Sequence, residues 1–367
     1  MTVTTEPTDP AREDARRDAL AEQLRGAVLG ALDLQAIYLC DRLGLYRALA
    51  DGGPANAPEL AERAGIHPRY AREWLEHQAV GTILDVDDVT AAPDERHYSL
   101  PAGHREVLID PESLSLVAPH ARFLISAAQA MPKLLDAYRT GDGVDPDSGP
   151  DNVESQESIN RPQFTHHMEA WIDALPDVAE RLRSGHGRVA DIACGTGWSS
   201  ISMAMHFPGV EVDGIDLDEV SIARAKAHAA EEGVDDRVSF LLANGAAAQG
   251  DGRYDLVTIF EALHDMARPV EVLSTARRLL APGGAVLIAD ERVAETFTAP
   301  GDESDRMSYG FSLTSCLPHG LHDKPSVGTG TVLRPAALEA MARDAGFSRF
   351  TILPTEHDSF RFYRLDP

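Results

Sequence analysis

The segment Arg188-Val-Ala-Asp-Ile-Ala-Cys-Gly-Thr-Gly-Trp198 constrains the fold of this chain more than any other. Its apolar start predicts a strand over 189–192, its glycines predict a tight turn over 193–197, and a helix follows from Ser199 onward. A strand, a glycine turn and a helix in this order are typical of the first unit of a nucleotide-binding α/β sheet. The sequence therefore predicts a doubly wound, Rossmann-like sheet.

The carboxylate of Asp191, just before the turn, indicates which ligand this sheet binds. A dinucleotide would place its pyrophosphate against the glycine amides and the helix N-terminus, where a carboxylate repels it. S-adenosylmethionine has no phosphate and carries a positive sulfonium and an ammonium group, which a carboxylate attracts. Asp191 therefore favours S-adenosylmethionine over NAD as the cofactor.

Later positions support the same site in the expected order. Asp216 ends a predicted second strand, nineteen residues after Gly197, where it can accept hydrogen bonds from two ribose hydroxyls. Asn244 ends a third strand and can bond the adenine edge, and a fourth strand begins at Tyr254. The alternative is a sheet whose glycines only turn the chain. The candidate cofactor-binding residues are Asp191, Ala193, Gly195, Gly197, Asp216, Leu217, Asn244, Gly245 and Phe260.

Residues 185–367 resemble the class I S-adenosylmethionine-dependent methyltransferases. The motifs that carry this resemblance are Asp191-Ile-Ala-Cys-Gly-Thr-Gly197, the acid Asp216, and the turn Ala281-Pro-Gly-Gly284 before a fifth strand over 285–290. Two positions depart from the family pattern, since Ala193 stands where Gly is frequent and Asn244 where Asp is frequent. The stretches 347–353 and 359–364 predict the antiparallel hairpin that closes such sheets.

The rest of the chain divides into three predicted parts. Residues 1–18 read as a disordered, solvated tail, 19–135 as a mostly helical winged-helix domain, and 136–184 as a linker and a lid helix over 161–175. Apolar residues between Ala19 and Leu49 recur at helical spacing over two helices broken near Gly44. Such helices can pack on their own domain, but we favour pairing with a second subunit in a homodimer.

The segment Asn56–Gln78 has the pattern of a helix-turn-helix, turning at Gly65-Ile-His-Pro68, with wing strands predicted over 82–84 and 97–100. A DNA-reading module needs a basic second helix, yet residues 51–120 hold thirteen Asp and Glu against five Lys and Arg. Over 20–367 the chain resembles bacterial small-molecule methyltransferases, similar to plant-type O-methyltransferases. This resemblance implies that the winged helix serves dimerisation and covers the pocket.

Charge and cysteine usage limit the partners. The net charge of −26 disfavours a nucleic-acid partner, because a polyanion is repelled unless a local basic face exists. No run approaches eighteen apolar residues and residues 1–18 are polar, so we expect no membrane partner and no signal peptide. The three cysteines are widely spaced and odd in number, which argues against disulfides. We therefore expect a cytoplasmic protein.

Catalysis is predicted in the loop after the fourth strand, at the carboxyl edge of the sheet. Methyl transfer needs an aligned acceptor and removal of its proton, and a histidine suits that task. His264 is the candidate base, with Asp265 beside it. The pair resembles the His-Asp pair after the fourth strand of plant-type O-methyltransferases, in which the histidine acts as base. The alternative is that Asp265 only caps a helix beginning near Ala267.

The acceptor pocket is assigned to the lid helix and to the long segment 291–335. The candidate substrate-binding residues are His167, Trp171, Met307, Tyr309, Phe311, His319 and His322. A metal joining His264 to His319 or His322 is an open alternative, but no short-range ligand motif is present, so we expect no metal.

The sequence thus predicts methyl transfer from S-adenosylmethionine to an oxygen or nitrogen of a small molecule, with carbon not excluded, in secondary metabolism. The alternatives are a regulator that binds S-adenosylmethionine and DNA, and a non-methylating enzyme on this fold.

Overall fold

The computed structural model describes residues 9–146 and 149–367. The chain divides into two compact units, one ending at Ile125 and the other beginning at Ser126. Within the described ranges, no helix is both long and apolar enough to span a bilayer.

The first unit is a helical domain with a small hairpin. Its elements are α1 Pro10–Leu43, α2 Leu45–Gly52, α3 Ala57–Ala64, α4 Pro68–Val80, β1 Asp85–Val86, β2 Tyr98–Ser99, α5 Ala102–Leu108, and α6 Pro119–Gln129, which crosses the boundary between the units. Helix α3 begins with a capping box between Asn56 and Glu59, and Gly65 ends it with a left-handed backbone. The following helix begins at Pro68, a residue favoured at a first helical position.

Two boundaries of this unit differ from the sequence prediction. Helix α1 begins at Pro10, capped by Asp9, so residues 10–18 are helical rather than a disordered tail; residues 1–8 of that tail lie outside the described ranges. The first wing strand is Asp85–Val86, paired with Tyr98–Ser99, and the predicted residues 82–84 form a turn instead. The helix break at Gly44 is confirmed, because Gly44 has φ of 67° and ends α1.

The second unit is an α/β domain. Its elements are α7 Met131–Thr140, α8 Pro150–Asp173, α9 Pro176–Arg181, β3 Arg188–Ile192, α10 Trp198–His206, β4 Glu211–Asp216, α11 Glu219–Glu231, β5 Val238–Leu242, β6 Tyr254–Phe260, α12 Pro269–Leu279, β7 Leu280–Glu291, α13 Glu303–Phe311, α14 Leu317–Gly320, α15 Pro335–Asp344, β8 Arg349–Ile352 and β9 Phe360–Asp366.

These strands form one seven-stranded sheet in the order β5-β4-β3-β6-β7-β9-β8. Strands β3 to β7 pair in parallel, and β9 runs antiparallel to both β7 and β8. The strand order reverses between β3 and β6, and in doubly wound sheets the ligand binds outside the carboxyl ends of the strands at that point. The doubly wound sheet and its closing hairpin, both predicted from the sequence, are confirmed.

Two apolar layers hold the helices against this sheet. One layer includes Met168 and Trp171 of α8, and the other includes Leu273 of α12 and Leu338 of α15. Covering both faces explains why the central strands read as nearly continuous apolar runs.

The second unit also differs from the prediction in two places. The helix expected over 161–175 begins eleven residues earlier, at Pro150, and it contains Pro162 without ending there. The turn predicted at Ala281–Gly284 lies within β7, where pairing jumps from Tyr254 opposite Leu280 to Leu256 opposite Ala285.

Candidate active site

The glycine turn after β3 has the backbone shape that the sequence predicts. Gly195 and Gly197 have φ of 53° and 87°, and Ala193 also has a positive φ of 60°. A Cβ atom on Gly197 would lie 2.6 Å from Cζ of Phe240, so only glycine fits between α10 and its neighbours. Gly197 therefore serves the close packing of the turn, and it does not line the cavity described below.

Asp191, the carboxylate that first suggested the cofactor, is 1% exposed. Its oxygens accept hydrogen bonds from the hydroxyls of Ser199 at 2.5 Å, Ser200 at 2.6 Å and Thr258 at 2.7 Å. Burial raises the pKa of its carboxyl, and the three hydroxyl donors oppose that shift. This side chain therefore ties the start of α10 to β3 and β6 and does not line the cavity described below, and its contact with the cofactor stays a prediction.

Asp216, at the end of β4, lies where the sequence places it. Its Oδ2 accepts the Gly195 amide at 2.8 Å and its Oδ1 accepts the Asp218 amide at 2.9 Å. Burial raises the pKa of this carboxyl, while the two amides lower it. Each carboxylate oxygen can accept a second hydrogen bond, so Asp216 can still bind two ribose hydroxyls.

A cavity of about 600 Å³ lies at the carboxyl edge of the sheet. One end is lined by the turn after β3 and the ends of β4 and β5, and the other by the loop after β6 and by residues near α14. Asn244 lies at the first end, where its side-chain oxygen accepts the Ala246 amide at 2.9 Å. The predicted residues that line the cavity are Ala193, Gly195, Asp216, Leu217, Asn244, Gly245, Phe260, Asp265, His319 and His322.

Other predicted site residues do not line this cavity. Trp171 is buried against Phe260 and Phe362, and His167 stacks on Trp171 at a centroid distance of 6.1 Å. On the helix Glu303–Phe311, Met307 and Tyr309 are exposed, and neither they nor Phe311 contacts the cavity. The substrate contacts expected of His167, Trp171, Met307, Tyr309 and Phe311 therefore stay predictions, and this cavity does not support them.

His264 is also absent from the cavity wall, because it is 2% exposed. Its Nδ1 donates to Oδ1 of Asp290 at 2.8 Å and lies 3.0 Å from Oε2 of Glu291. The single Nδ1–H points to Asp290, so Glu291 attracts it by charge rather than by a hydrogen bond. On the other side, Nε2 lies 3.4 Å from Oδ1 of Asp265, which does face the cavity.

Charges around His264 set its protonation. The carboxylates of Glu291, Asp290 and Asp265 raise the pKa of His264 well above its usual value, although burial lowers it. These charges favour the protonated form of the ring. Asp265 does not cap the next helix, which begins at Pro269 after an N-cap at Arg268. Of the predicted pair, Asp265 lines the cavity and His264 lies behind it, so the role of His264 as a base in contact with the acceptor stays a prediction.

Glu261 is a partly buried acid that the sequence analysis did not single out. It follows β6 directly, lines the cavity, and has a positive φ of 51°. Burial, with the charge of Glu291, raises the pKa of Glu261 to about 8. Asn160 hydrogen-bonds to this carboxyl. The Oε1 atom of Glu261 is buried and has no hydrogen-bond partner among the described residues.

The sequence analysis missed two further groups. The N-terminal half of α8 lines the cavity through Asn152, Val153, Gln156, Glu157 and Asn160, because the helix begins earlier than predicted. Asp290 and Glu291 hold His264 from the end of β7. The rule that sites lie at the carboxyl ends of parallel strands would have identified both acids.

Two overlapping groups around His264 have ligand atoms close enough for a metal ion. They are His264 with Asp265 and Cys316, and His264 with Asp290 and Glu291, with all ligand atoms in each group within 4.8 Å. Among the residues that the structure describes, neither group includes His319 or His322, so the histidine pairing considered from the sequence is not formed.

Comparison with known proteins agrees with this geometry. A methyltransferase domain model matches residues 183–325, and an Rv2258c-like winged helix-turn-helix model matches residues 33–109. A ubiquinone biosynthesis O-methyltransferase of Pseudomonas paraeruginosa is 32% identical over 179 residues, which are 48% of this chain and 68% of that relative.

Solved structures share the fold across nearly the whole chain. The mitomycin 7-O-methyltransferase superposes with a TM-score of 0.69 at 22% identity, covering 96% of this chain and 99% of the other. Human N-acetylserotonin methyltransferase in complex with S-adenosylmethionine gives 0.71 at 16% identity, with 99% of each chain covered. A doubly wound methyltransferase domain that follows a winged-helix domain in the chain is the domain organisation of this class of transferase. The chain belongs to the S-adenosylmethionine-dependent methyltransferase family.

Proposed function

We propose that this enzyme transfers the methyl group of S-adenosylmethionine to an oxygen or nitrogen atom of a small molecule in secondary metabolism. The observation that carries the proposal is the single cavity that has Gly195 and Asp216 at one end and Asp265 at the other. A cavity of about 600 Å³ matches the size of small-molecule sites. The names of the ubiquinone and mitomycin O-methyltransferases support the same substrate class.

At the cofactor end, the ribose hydroxyls bind Asp216, and the adenine lies between Leu217 and Asn244. Leu217 is exposed at the cavity edge, so stacking of an adenine ring would cover its apolar surface. The positive charge of the cofactor favours this cavity, because Glu157, Asp216 and Asp218 all line it.

At the acceptor end, the attacking atom forms a bond to the methyl carbon as the carbon–sulfur bond breaks, and the sulfonium becomes a neutral thioether. The acceptor's proton passes to the Asp265 carboxylate, which faces the cavity. His264 is a positioning residue in this scheme, since its charge and its bond to Asp290 fix the ring behind Asp265. His319 and His322 form the opposing wall.

Transfer of a labelled methyl group tests this assignment. Purified enzyme and labelled S-adenosylmethionine are incubated with a panel of small phenols and amines, and product formation is compared with that of Asp265→Asn. Asp236→Asn, an exposed position outside the cavity, is the matched control. Cofactor binding without labelled product from any phenol or amine would contradict the proposed acceptor class.

We also propose that the protein is a homodimer joined through α1. Residues Leu20, Leu24, Val28 and Leu32 recur every four positions along this helix and are each 51–63% exposed, whereas Cys40 is its buried residue. A stripe of this kind in water favours a partner surface, and a second copy supplies a matching stripe.

DNA is not the proposed partner of the winged helix. On α4, the helix that would enter a groove, Arg69 pairs with Glu73 and Arg72 pairs with Asp94. Basic side chains held by acids are poor ligands for phosphate. The cysteines are free thiols, two of them buried, which supports a reducing, cytoplasmic compartment.

A further inference from the structure

The acceptor end of the cavity carries more negative than positive charge. Four carboxyl groups line it, those of Asp145, Glu261, Asp265 and Asp323. The basic residues there are Arg268, His319 and His322. Arg268 pairs with Glu271 at 3.2 Å, and His322 lies 3.7 Å from Asp145. Arg268 is therefore engaged by an acid and His322 lies near one, while the carboxyl groups of Glu261, Asp265 and Asp323 line the same end of the cavity.

Glu261 has the position of a ligand-binding group rather than of a structural one. Its Oε1 is buried without a hydrogen-bond partner among the described residues, a condition that costs free energy. Its left-handed backbone is also unfavourable for a residue with a side chain. The amide of Glu261, bonded to the Ala289 carbonyl at 2.8 Å, holds this conformation and keeps the carboxyl at the cavity.

We propose that the acceptor of this enzyme carries a protonated amine, which binds between Glu261 and Asp265. This inference rests on the proposed function and specifies its substrate class. A protonated nitrogen has no lone pair, so this group anchors the molecule while a separate hydroxyl or amine attacks the methyl carbon. An anionic acceptor would face the carboxylates with Arg268 already paired. The carboxyl of Glu261, a residue that is partly accessible and lines the cavity, can supply the opposite charge for such a cation.

Binding of a protonated amine next to Glu261 should be coupled to the release of a proton. Burial and the charge of Glu291 raise the pKa of Glu261 to about 8, which favours a protonated carboxyl near neutral pH when no cation is bound. A bound ammonium favours the ionised carboxylate, so the complex releases this proton. An uncharged ligand of the same shape has no such effect.

Three phenols of equal size separate the possibilities: tyramine with an ammonium group, tyrosol with a hydroxyl, and 4-hydroxyphenylacetate with a carboxylate. Their affinities are measured by calorimetry for the full-length protein saturated with S-adenosylhomocysteine. We expect tyramine to bind at least about tenfold more tightly than 4-hydroxyphenylacetate at low salt, with tyrosol between them. Tyramine binding should also release protons, seen as a dependence of the measured heat on the buffer.

Two variants test whether Glu261 and Asp265 cause the preference for tyramine. Glu261→Gln and Asp265→Asn should each reduce the tyramine preference at least about fivefold, while Glu231→Gln, an exposed charge-matched control outside the cavity, should retain it. Affinity for S-adenosylhomocysteine, measured first, verifies that each variant is folded. It also separates the two proposals, because wild-type protein that fails to bind this product would contradict the proposed function itself.

Three outcomes would overturn the inference. One is equal or tighter binding of 4-hydroxyphenylacetate, and another is no binding of any probe at millimolar concentration. The third is a Glu261→Gln variant that loses cofactor affinity but keeps the tyramine preference, because Glu261 would then face the cofactor.

Discussion

Nδ1 of His264 donates a 2.8 Å hydrogen bond to Oδ1 of Asp290, and both side chains are buried. The histidine follows β6 and the aspartate ends β7, so the bond links two adjacent strand ends behind the cavity. Together with the carboxylates of Glu291 and Asp265, this bond raises the pKa of the ring and favours its protonated form, although burial lowers it. This arrangement supports the proposal that His264 orients Asp265 and that Asp265 takes up the proton of the acceptor.

Removing the histidine should affect both stability and rate. In His264→Gln the carboxylate of Asp290 stays buried without its charged partner, which typically costs about 3–5 kcal/mol. We expect a lower melting temperature and a kcat reduced by about 10²-fold, with S-adenosylmethionine affinity nearly intact. Calorimetry and steady-state kinetics measure the three quantities.

The double variant His264→Gln/Asp290→Asn is the control for that experiment. Because the uncompensated charge is gone, it should recover most of the melting temperature but not kcat. Wild-type turnover in His264→Gln between pH 6 and 9 would rule out a role of this side chain in positioning Asp265.

Replacing Asp265, which faces the cavity, should lower kcat without lowering stability. Asp265→Asn keeps the shape of the side chain but cannot take up a proton, so kcat should fall about 10²-fold or more. Because this residue is partly accessible rather than enclosed, its replacement should change the melting temperature little. Asp323→Asn, another cavity carboxyl, provides the comparison, and an equal loss of kcat in both variants would argue against a specific proton acceptor.

Local patterns were enough to predict the framework of the catalytic unit. Strand composition, the glycine turn and the acid Asp216 depend on residues close in sequence, and the structure has each of them where expected. The start of α8 was missed, because Pro150–Asn160 is polar and lacks the apolar period that marks a helix. This part of the helix contacts other helices, for example through Glu154 and Glu157 with Arg224 of α11, and periodicity along the sequence does not reveal such contacts.

The roles of individual side chains were harder to predict, because they depend on burial. Asp191 and His264 carry the charges suited to the chemistry, but each is enclosed by groups from other elements, three hydroxyls in one case and two carboxylates in the other. Trp171, expected in the acceptor wall, packs against Phe362 of β9, almost two hundred residues away. Contacts between residues so far apart in the sequence depend on the topology of the fold, which local sequence patterns do not specify.

The cofactor site gives a prediction with an internal control. Asp216→Ala removes the proposed ribose acceptor and should weaken S-adenosylmethionine binding at least tenfold, about 1.4 kcal/mol. Asp191→Asn removes a charge from the same motif, but its side chain does not line the cavity. Asp191→Asn should lower the melting temperature but weaken S-adenosylmethionine binding less than Asp216→Ala does. A calorimetric titration in which Asp191→Asn weakens binding more than Asp216→Ala would indicate that Asp191 contacts the cofactor.

The stripe on α1 leads to a prediction about assembly. Leu24→Arg combined with Val28→Arg places two charges on the exposed apolar face, and we expect sedimentation to change from dimer to monomer at micromolar concentration. Gln23→Arg, one position away on the same exposed helix, should remain dimeric. Wild-type protein that sediments as a monomer, or a double arginine variant that stays dimeric, would place the interface elsewhere or remove it.

The carboxyl of Glu261 should make stability depend on pH in a defined direction. Its pKa is raised to about 8, whereas glutamate in an unfolded chain has a pKa of about 4.3. Between these values the native state holds a proton that the unfolded chain has released. Stability therefore falls as pH rises through this window, with a limiting slope of about 1.4 kcal/mol per pH unit.

Glutamine at this position has no proton to lose, so Glu261→Gln should remove that slope. In the absence of cofactor and acceptor, its melting temperature should match that of the wild type near pH 5 and exceed it by several degrees near pH 8, the difference then levelling. Coupling to Glu291, whose pKa burial also raises, keeps the observed slope below the limiting value. Glu231→Gln, which is exposed, should follow the wild-type curve. If wild-type and Glu261→Gln melting temperatures stay parallel from pH 5 to 9, Glu261 is ionised in the empty cavity, and ammonium binding there would release no proton.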